Sequence, residues 1–141
     1  MARTAVEVDP QLIAFMLPSI PESVPIARFH IRAALSFHQL DAYADDAAII
    51  TSELVTNAIQ HACEDSTATV RVTLLRAWNP EAVTVVVTDS SQEGPMTRTT
   101  PDGSERGRGL RIVDELSDCW GWNPEDGGKA VYAVLMKRAS A

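Results

Sequence analysis

The sequence predicts one domain of the α/β (α+β) class, in which helices are combined with strands and two of the strands form an antiparallel hairpin. The chain has 141 residues, 45% hydrophobic and 22% charged, which is the size and composition of an ordinary globular domain. Two segments before residue 62 carry apolar residues at helical spacing, and two segments between residues 69 and 88 have the pattern of strands. Helices and strands grouped in this way favour an α+β domain.

The first elements are predicted to be a strand over residues 11–17 and a helix over about 24–40, with Pro25 in its first turn. A second helix should begin near 43–46 and run to about Ala62. The apolar residues of the first helix are expected to form its core-facing side; these are Ile26, Phe29, Ala33, Leu35 and Phe37.

The middle of the chain is predicted to form an antiparallel hairpin of residues 69–75 and 82–88, joined by a turn at Asn79-Pro80. The second of these strands is nearly all apolar, which indicates a central strand that ends at Asp89. Residues 90–106 are rich in Ser, Thr, Pro, Gly and charge and read as a loop or flap. A helix over 109–116 and strands over 119–122 and 130–136 complete the chain, with no internal repeat or linker.

Composition limits the function. Nineteen acidic against twelve basic residues give a formal charge of −7, which argues against a basic surface that binds nucleic acid or anionic membranes. The apolar run at residues 12–17 stops at Pro18, too short for a signal sequence or membrane span, so a cytoplasmic protein is expected. Cys63 and Cys119 have no ligand spacing and are interpreted as reduced, buried thiols.

The second helix carries polar side chains at four-residue intervals in an apolar setting: Glu53, Asn57 and His61. Residues at this spacing share one helical face. A carboxylate can accept a proton and an amide oxygen can ligate a hard cation, so the pattern suits a Mg²⁺-dependent nucleotide site. A solvated strip on an amphipathic helix would produce the same pattern.

Two further motifs follow. Asp89 lies where an apolar strand opens into a polar loop, so its carboxylate can reach a ligand crevice; a strand-ending Asp with no such role is the alternative. Gly107 and Gly109 flank the start of a helix, where backbone N–H groups can approach a phosphate. Arg106, Arg108 and Arg111 add positive charge there, which favours an anion site over a simple turn.

The order of these motifs resembles the Bergerat-fold ATP-binding domain of the GHKL superfamily. The segment from Glu53 to Ala62 looks like the N box of that family, Asp89 onward like its first glycine box, and residues 107–110 like its second. The form E-L-V-T-N-A-x-x-H-A, followed by G-R-G-L-x-I-V, is most similar to the anti-sigma-factor kinases of the RsbW type. The resemblance implies a two-layer sandwich whose mixed, mostly antiparallel sheet is covered on one face by helices, with the whole chain forming one domain.

The same resemblance implies roles for individual residues. Asn57 would ligate Mg²⁺ and Glu53 would be the general base, while Asp89 would accept a hydrogen bond from the adenine amino group of ATP. The backbone of Gly107, Gly109 and Leu110 would wrap the phosphates beside the Arg108 side chain, and residues 90–106 would be the ATP lid. His61 is expected to pack or hydrogen-bond.

The chain departs from the family pattern near the expected base site. The first glycine box usually reads D-x-G-x-G, whereas this chain has Asp89-Ser90-Ser91 and no second glycine in register. The final strand usually has Gly-Thr, whose hydroxyl helps to hold adenine, and this chain has Gly128-Lys129. Weaker nucleotide binding is the expected consequence.

The resemblance implies a serine/threonine protein kinase that binds a sigma factor, phosphorylates a STAS-domain antagonist and so regulates transcription by partner switching. Related kinases often form homodimers. A histidine kinase is a poorer match because no residues remain for a dimerisation helix with a phospho-accepting His. The alternative is a Bergerat-fold module that sequesters a partner without catalysis, with ATP weakly bound or absent.

Overall fold

The computed structural model describes residues 10–60, 67–90, 108–125 and 127–136. Their elements, in chain order, are β1 (Gln11–Pro18), α1 (Ser23–Phe37), a short 3₁₀ helix (Asp41–Tyr43), α2 (Ala44–Gln60), β2 (Thr69–Ala77), β3 (Ala82–Asp89), α3 (Arg108–Leu116), β4 (Cys119–Glu125) and β5 (Gly128–Met136). Each predicted helix and strand is present. The largest boundary differences are three residues: α1 ends at Phe37 rather than near Leu40, and β4 extends to Glu125 rather than Trp122.

The five strands form one sheet in the order β1-β2-β3-β5-β4. All the pairings of these strands are antiparallel. β3 is the central strand, as its β-branched, nearly continuous apolar sequence predicted. The predicted two-layer α/β fold class is confirmed. Because β3 and β5 are antiparallel neighbours, the end of β3 lies beside the beginning of β5.

One face of the sheet is covered by helices. Alternate residues of β2, β3 and β5 point to this face and are fully or almost fully buried, among them Val72, Val85 and Ala133. They belong to one core cluster with the buried sides of α1, α2 and α3. α2 packs against β2, β3 and β5, and α1 and α3 each pack against α2. The strand register therefore determines which polar side chains are held beneath α2.

The predicted core side of α1 is wrong at most positions. Phe29 is 68% and Phe37 82% exposed, and Ile26 and Ala33 are also exposed; only Leu35 is buried as predicted. The buried residues of α1 are Ser23, Ala27, Ile31, Ala34 and Leu35. α1 packs against α2, and all the predicted residues except Leu35 lie on the side of the helix opposite its buried residues.

Two other predictions concern the cysteines and membrane segments. Cys119 is exposed, so the predicted buried thiol is wrong there, because it occupies edge strand β4, where side chains remain accessible. Cys63 lies outside the described residues. Within the described ranges, no helix combines the length and apolar character needed to cross a membrane.

Candidate functional site

The first part of the candidate site lies on α2. Its buried residues span one side of the helix, including Ile50, Leu54 and Ala58. At 3.6 residues per turn, Glu53 and Asn57 are about 40° apart around the axis, and Asn57 is next to the buried arc. Both side chains are half-buried. They therefore lie at the border of the core, where a side chain is held by its helix but still accessible to a ligand.

The second part is a buried ion pair at the end of the sheet. Lys129 Nζ donates hydrogen bonds to both carboxylate oxygens of Asp89, at 2.9 Å to Oδ2 and 3.2 Å to Oδ1. The two side chains are 0% and 3% exposed. Asp89 and Lys129 are direct cross-strand partners of β3 and β5, so both side chains project from the helix-covered face. The carboxylate thus faces a cation of its own chain.

Gly128 allows this close approach of the two strands. A Cβ atom at Gly128 would lie 1.8 Å from the backbone oxygen of Asp89 and 2.8 Å from Ser90 Cα. No side chain fits there because the obstructing atoms are backbone. The absence of a side chain at Gly128 therefore lets β5 begin against the end of β3, which places Lys129 opposite Asp89.

The third part is the beginning of α3. The helix starts at Arg108 and includes Gly109 and Leu110. Leu110 is 1% exposed and belongs to the core cluster, so its predicted role through the backbone is accompanied by a packing role. The N–H groups of the first helical turn have no partner within the helix, which is a favourable environment for an anion. Gly107 and the side chain of Arg108 lie outside the described part of the chain.

The core cluster connects these parts. Ala58 of α2, Val87 of β3, Leu110 of α3 and Val131 of β5 all belong to it. Asn57 directly precedes Ala58. Asp89 follows Val87 by two residues and Lys129 precedes Val131 by two, so each lies on the same face of its strand as that cluster member. Helix and sheet groups predicted from separate motifs are therefore attached to one core cluster. His61 and lid residues 91–106 lie outside the described residues, so the predictions for them stay predictions.

Sequence reasoning missed Lys129 as a site residue. The signal that could have identified it is the period-two pattern of β5: Val131, Ala133 and Leu135 are buried on one face, and Lys129 is in phase with them. A lysine in phase with a buried stripe needs a buried anionic partner. The sequence shows that the hydroxyl of the family's Gly-Thr is missing at Lys129. The structure shows that the Lys129 ammonium group lies there instead and binds Asp89.

The residues present can be tested against ATP and Mg²⁺. Asn57 provides an amide oxygen of the kind that Mg²⁺ accepts alongside phosphate oxygens and water. Among the described residues, no group of three or more His, Cys, Asp or Glu side chains could hold a metal by itself. The amide oxygen of Asn57 fits a Mg²⁺ ion that phosphate oxygens also hold. The base side fits less well, because the predicted adenine acceptor Asp89 is already bonded to Lys129.

Comparison with known proteins gives one family match and a structural match. A family model described as a histidine kinase-like ATPase domain matches residues 17–135. Among solved structures, the chain is similar to the RsbU and RsbW domains of Rv1364c from Mycobacterium tuberculosis, with a TM-score of 0.63 and 18% sequence identity. That match covers 91% of this chain and 34% of the other, so this chain spans about a third of the solved one. At this identity the likeness is one of fold. No curated protein matches the sequence.

Proposed function

This chain belongs to the histidine kinase-like ATPase domain family, as the order of its motifs predicted, and from this membership we propose that it is an ATP-dependent serine/threonine protein kinase of the anti-sigma-factor type. Its partners would be a sigma factor and a STAS-domain antagonist of the anti-sigma factor. The antagonist would be the phosphorylated substrate. Phosphorylation would then switch which partner the kinase binds.

Two findings support the anti-sigma-factor type. The N-box segment from Glu53 to Ala62 and the segment from Gly107 to Val113 resemble the RsbW-type kinases in sequence. The solved structure that shares the fold contains an RsbW domain. Membership of the family leaves the acceptor residue and the partners open, and these are part of the proposal.

The observation that carries the proposal is the position of Glu53 and Asn57. They share one flank of α2 and are half-buried at the border of the core. In the proposed reaction, Asn57 holds the metal, and Glu53 accepts the proton of the substrate's serine or threonine hydroxyl as that oxygen becomes the nucleophile. Bound Mg²⁺·ATP would supply the phosphoryl group and neutralise its charge. The protein's contribution is mainly positioning and electrostatic stabilisation.

Substitutions on α2 test these roles. Glu53→Ala should abolish phosphate transfer to a STAS-domain substrate, while the affinity for Mg²⁺·ATP measured by titration calorimetry stays within about two-fold of wild type. Asn57→Ala should weaken Mg²⁺·ATP binding by about ten-fold or more, because a charge-assisted contact is lost. The control is Asp46→Asn, which neutralises a carboxylate two turns earlier on nearly the same side of α2.

The results separate the roles. Transfer by Glu53→Ala at the wild-type rate would remove Glu53 from the mechanism. Equal affinity of Asn57→Ala and wild type would remove Asn57 from the metal site. Loss of both activities in Asp46→Asn would show that general charge or helix stability, rather than the proposed chemistry, explains the effects.

A second candidate function is a binding module that sequesters a partner without catalysis. The Asp89–Lys129 ion pair favours it, because a carboxylate bonded to Lys129 is a poor acceptor for adenine. The same calorimetric titration distinguishes the two functions. If the wild type does not bind Mg²⁺·ATP at millimolar concentration, the sequestering function is the better description.

A further inference from the structure

The Asp89–Lys129 pair has a consequence for the nucleotide specificity of the proposed site. We infer that Lys129 is an internal competitor for the Asp89 carboxylate, and that this ion pair lowers the affinity of the site for the amino group of adenine. The inference rests on the proposed ATP site and assigns to Lys129 a role in determining its affinity and base selectivity.

The geometry of the pair carries the inference. Nζ of Lys129 lies within 3.2 Å of both oxygens of the carboxylate, so it takes one acceptor direction on each. A cationic donor forms a stronger hydrogen bond than the neutral amino group of a base. The ligand would therefore have to share the carboxylate with a stronger donor that is covalently part of the same sheet.

Burial strengthens this competition. The side chains of Lys129 and Asp89 are 0% and 3% exposed, so neither charge can turn to water when a ligand arrives. Moving the ammonium group away from Asp89 would separate two opposite charges within the core, which is strongly unfavourable. Lys129 lies at the beginning of β5, where Gly128 lets the backbones of β5 and β3 approach closely beside Asp89.

Lys129 also neutralises the charge of the Asp89 carboxylate before any ligand binds. A carboxylate without a partner would attract a donor from the ligand, whereas this one forms a neutral unit with Lys129. The base end of the site should then contribute mainly apolar contact and little discrimination at the 6-position of a purine. Affinity would depend on the phosphates and metal at the α2 and α3 side.

The first test uses the unmodified protein and calorimetric titration. Mg²⁺·ATP is compared with the Mg²⁺ complex of purine riboside triphosphate, which lacks only the 6-amino group. If Lys129 occupies Asp89, the two nucleotides should bind within about two-fold of each other. A loss of about ten-fold or more without the amino group, the usual effect of losing a hydrogen bond to a charged group, would overturn the inference.

The second test is Lys129→Thr, which removes the cation and introduces a hydroxyl. After circular dichroism has shown that the variant is folded, its affinity for Mg²⁺·ATP should be about ten-fold or more above that of wild type, and it should now prefer ATP over the analogue. The matched control is Arg32→Thr, which removes the same charge from an exposed ion pair with Asp45 and should leave both affinities unchanged.

The outcomes also separate this inference from the proposed function. Tight ATP binding by wild type that is lost in Lys129→Thr would overturn the role of Lys129 and leave the ATP site intact. No ATP binding by either wild type or a folded Lys129→Thr variant would overturn both the inference and the proposed ATP-dependent activity. Tighter binding by Lys129→Thr alone, with Arg32→Thr unchanged, would support both.

Discussion

The buried ion pair leads to a quantitative prediction for Lys129→Met, which keeps an apolar stem and removes the ammonium group. In the variant, the carboxylate of Asp89 would remain 3% exposed and without its ammonium partner. Removing one member of a buried pair costs about 3–5 kcal/mol, because the remaining buried charge loses its counter-ion. We expect a loss of that size in the free energy of unfolding at pH 7.

An exposed pair within the same chain gives the comparison. Arg32 Nη1 and Asp45 Oδ1 are 3.0 Å apart, nearly the same as the 2.9 Å between Lys129 Nζ and Asp89 Oδ2. Their side chains are 50% and 87% exposed, however, so Arg32→Met should cost no more than about 1 kcal/mol. Since the distances match, the difference between the two variants measures the effect of burial.

Urea unfolding followed by circular dichroism provides the assay. In a parallel thermal unfolding experiment, Lys129→Met should lower the melting temperature by about 9–15 °C, given roughly 3 °C per kcal/mol for a chain of this size. The double variant Asp89→Leu/Lys129→Met replaces the pair by apolar groups and should recover most of the loss. Equal losses in Lys129→Met and Arg32→Met, within about 1 kcal/mol, would refute the argument from burial.

Three further predictions follow from packing and charge. Gly128→Ala should destabilise the fold by more than Gly127→Ala in urea unfolding. A Cβ at Gly128 would meet the backbone of Asp89, whereas Gly127 has φ +78° and open space around it, so Gly127→Ala should cost only about 1–2 kcal/mol. Equal losses in the two variants would contradict the close approach of the strands at Gly128. Leu110→Ala should cost about 2–5 kcal/mol, since the side chain is 1% exposed in the core; a loss below 1 kcal/mol would mean that α3 is not docked there. Burial and the hydrogen bond to Glu81 raise the pKa of Tyr43 from 10.0 to about 12. The contribution of Tyr43 to the free energy of unfolding should therefore be complete below pH 10 and be lost as the pH rises through 12. The free energy of unfolding of Tyr43→Phe should fall less over this pH range, and an equal fall would exclude Tyr43 as the cause.

The local sequence pattern was sufficient to predict the helices and strands. It was not sufficient to predict which side of every helix is buried. The periodicity of α2 predicted its extent, and the apolar sequence of β3 predicted a central strand, because both signals come from residues that pack on several sides. The face of α1 was predicted wrongly. Its large residues Phe29 and Phe37 gave the stronger apolar signal, but Ala27 and Ala34 allow close packing, and only the neighbouring helix distinguishes these two faces.

The fold class, the family and the position of Glu53 and Asn57 on one flank of α2 could be predicted from the sequence. These depend on spacing within a single element or on the order of motifs along the chain, and both can be read locally. The environment of Asp89 became known from the three-dimensional fold. Its partner Lys129 is forty residues away and meets it through the register of β3 and β5, which no local pattern specifies. The physical reason is that burial and pairing of a charge depend on long-range contacts, and those contacts determine whether a carboxylate is available to a ligand.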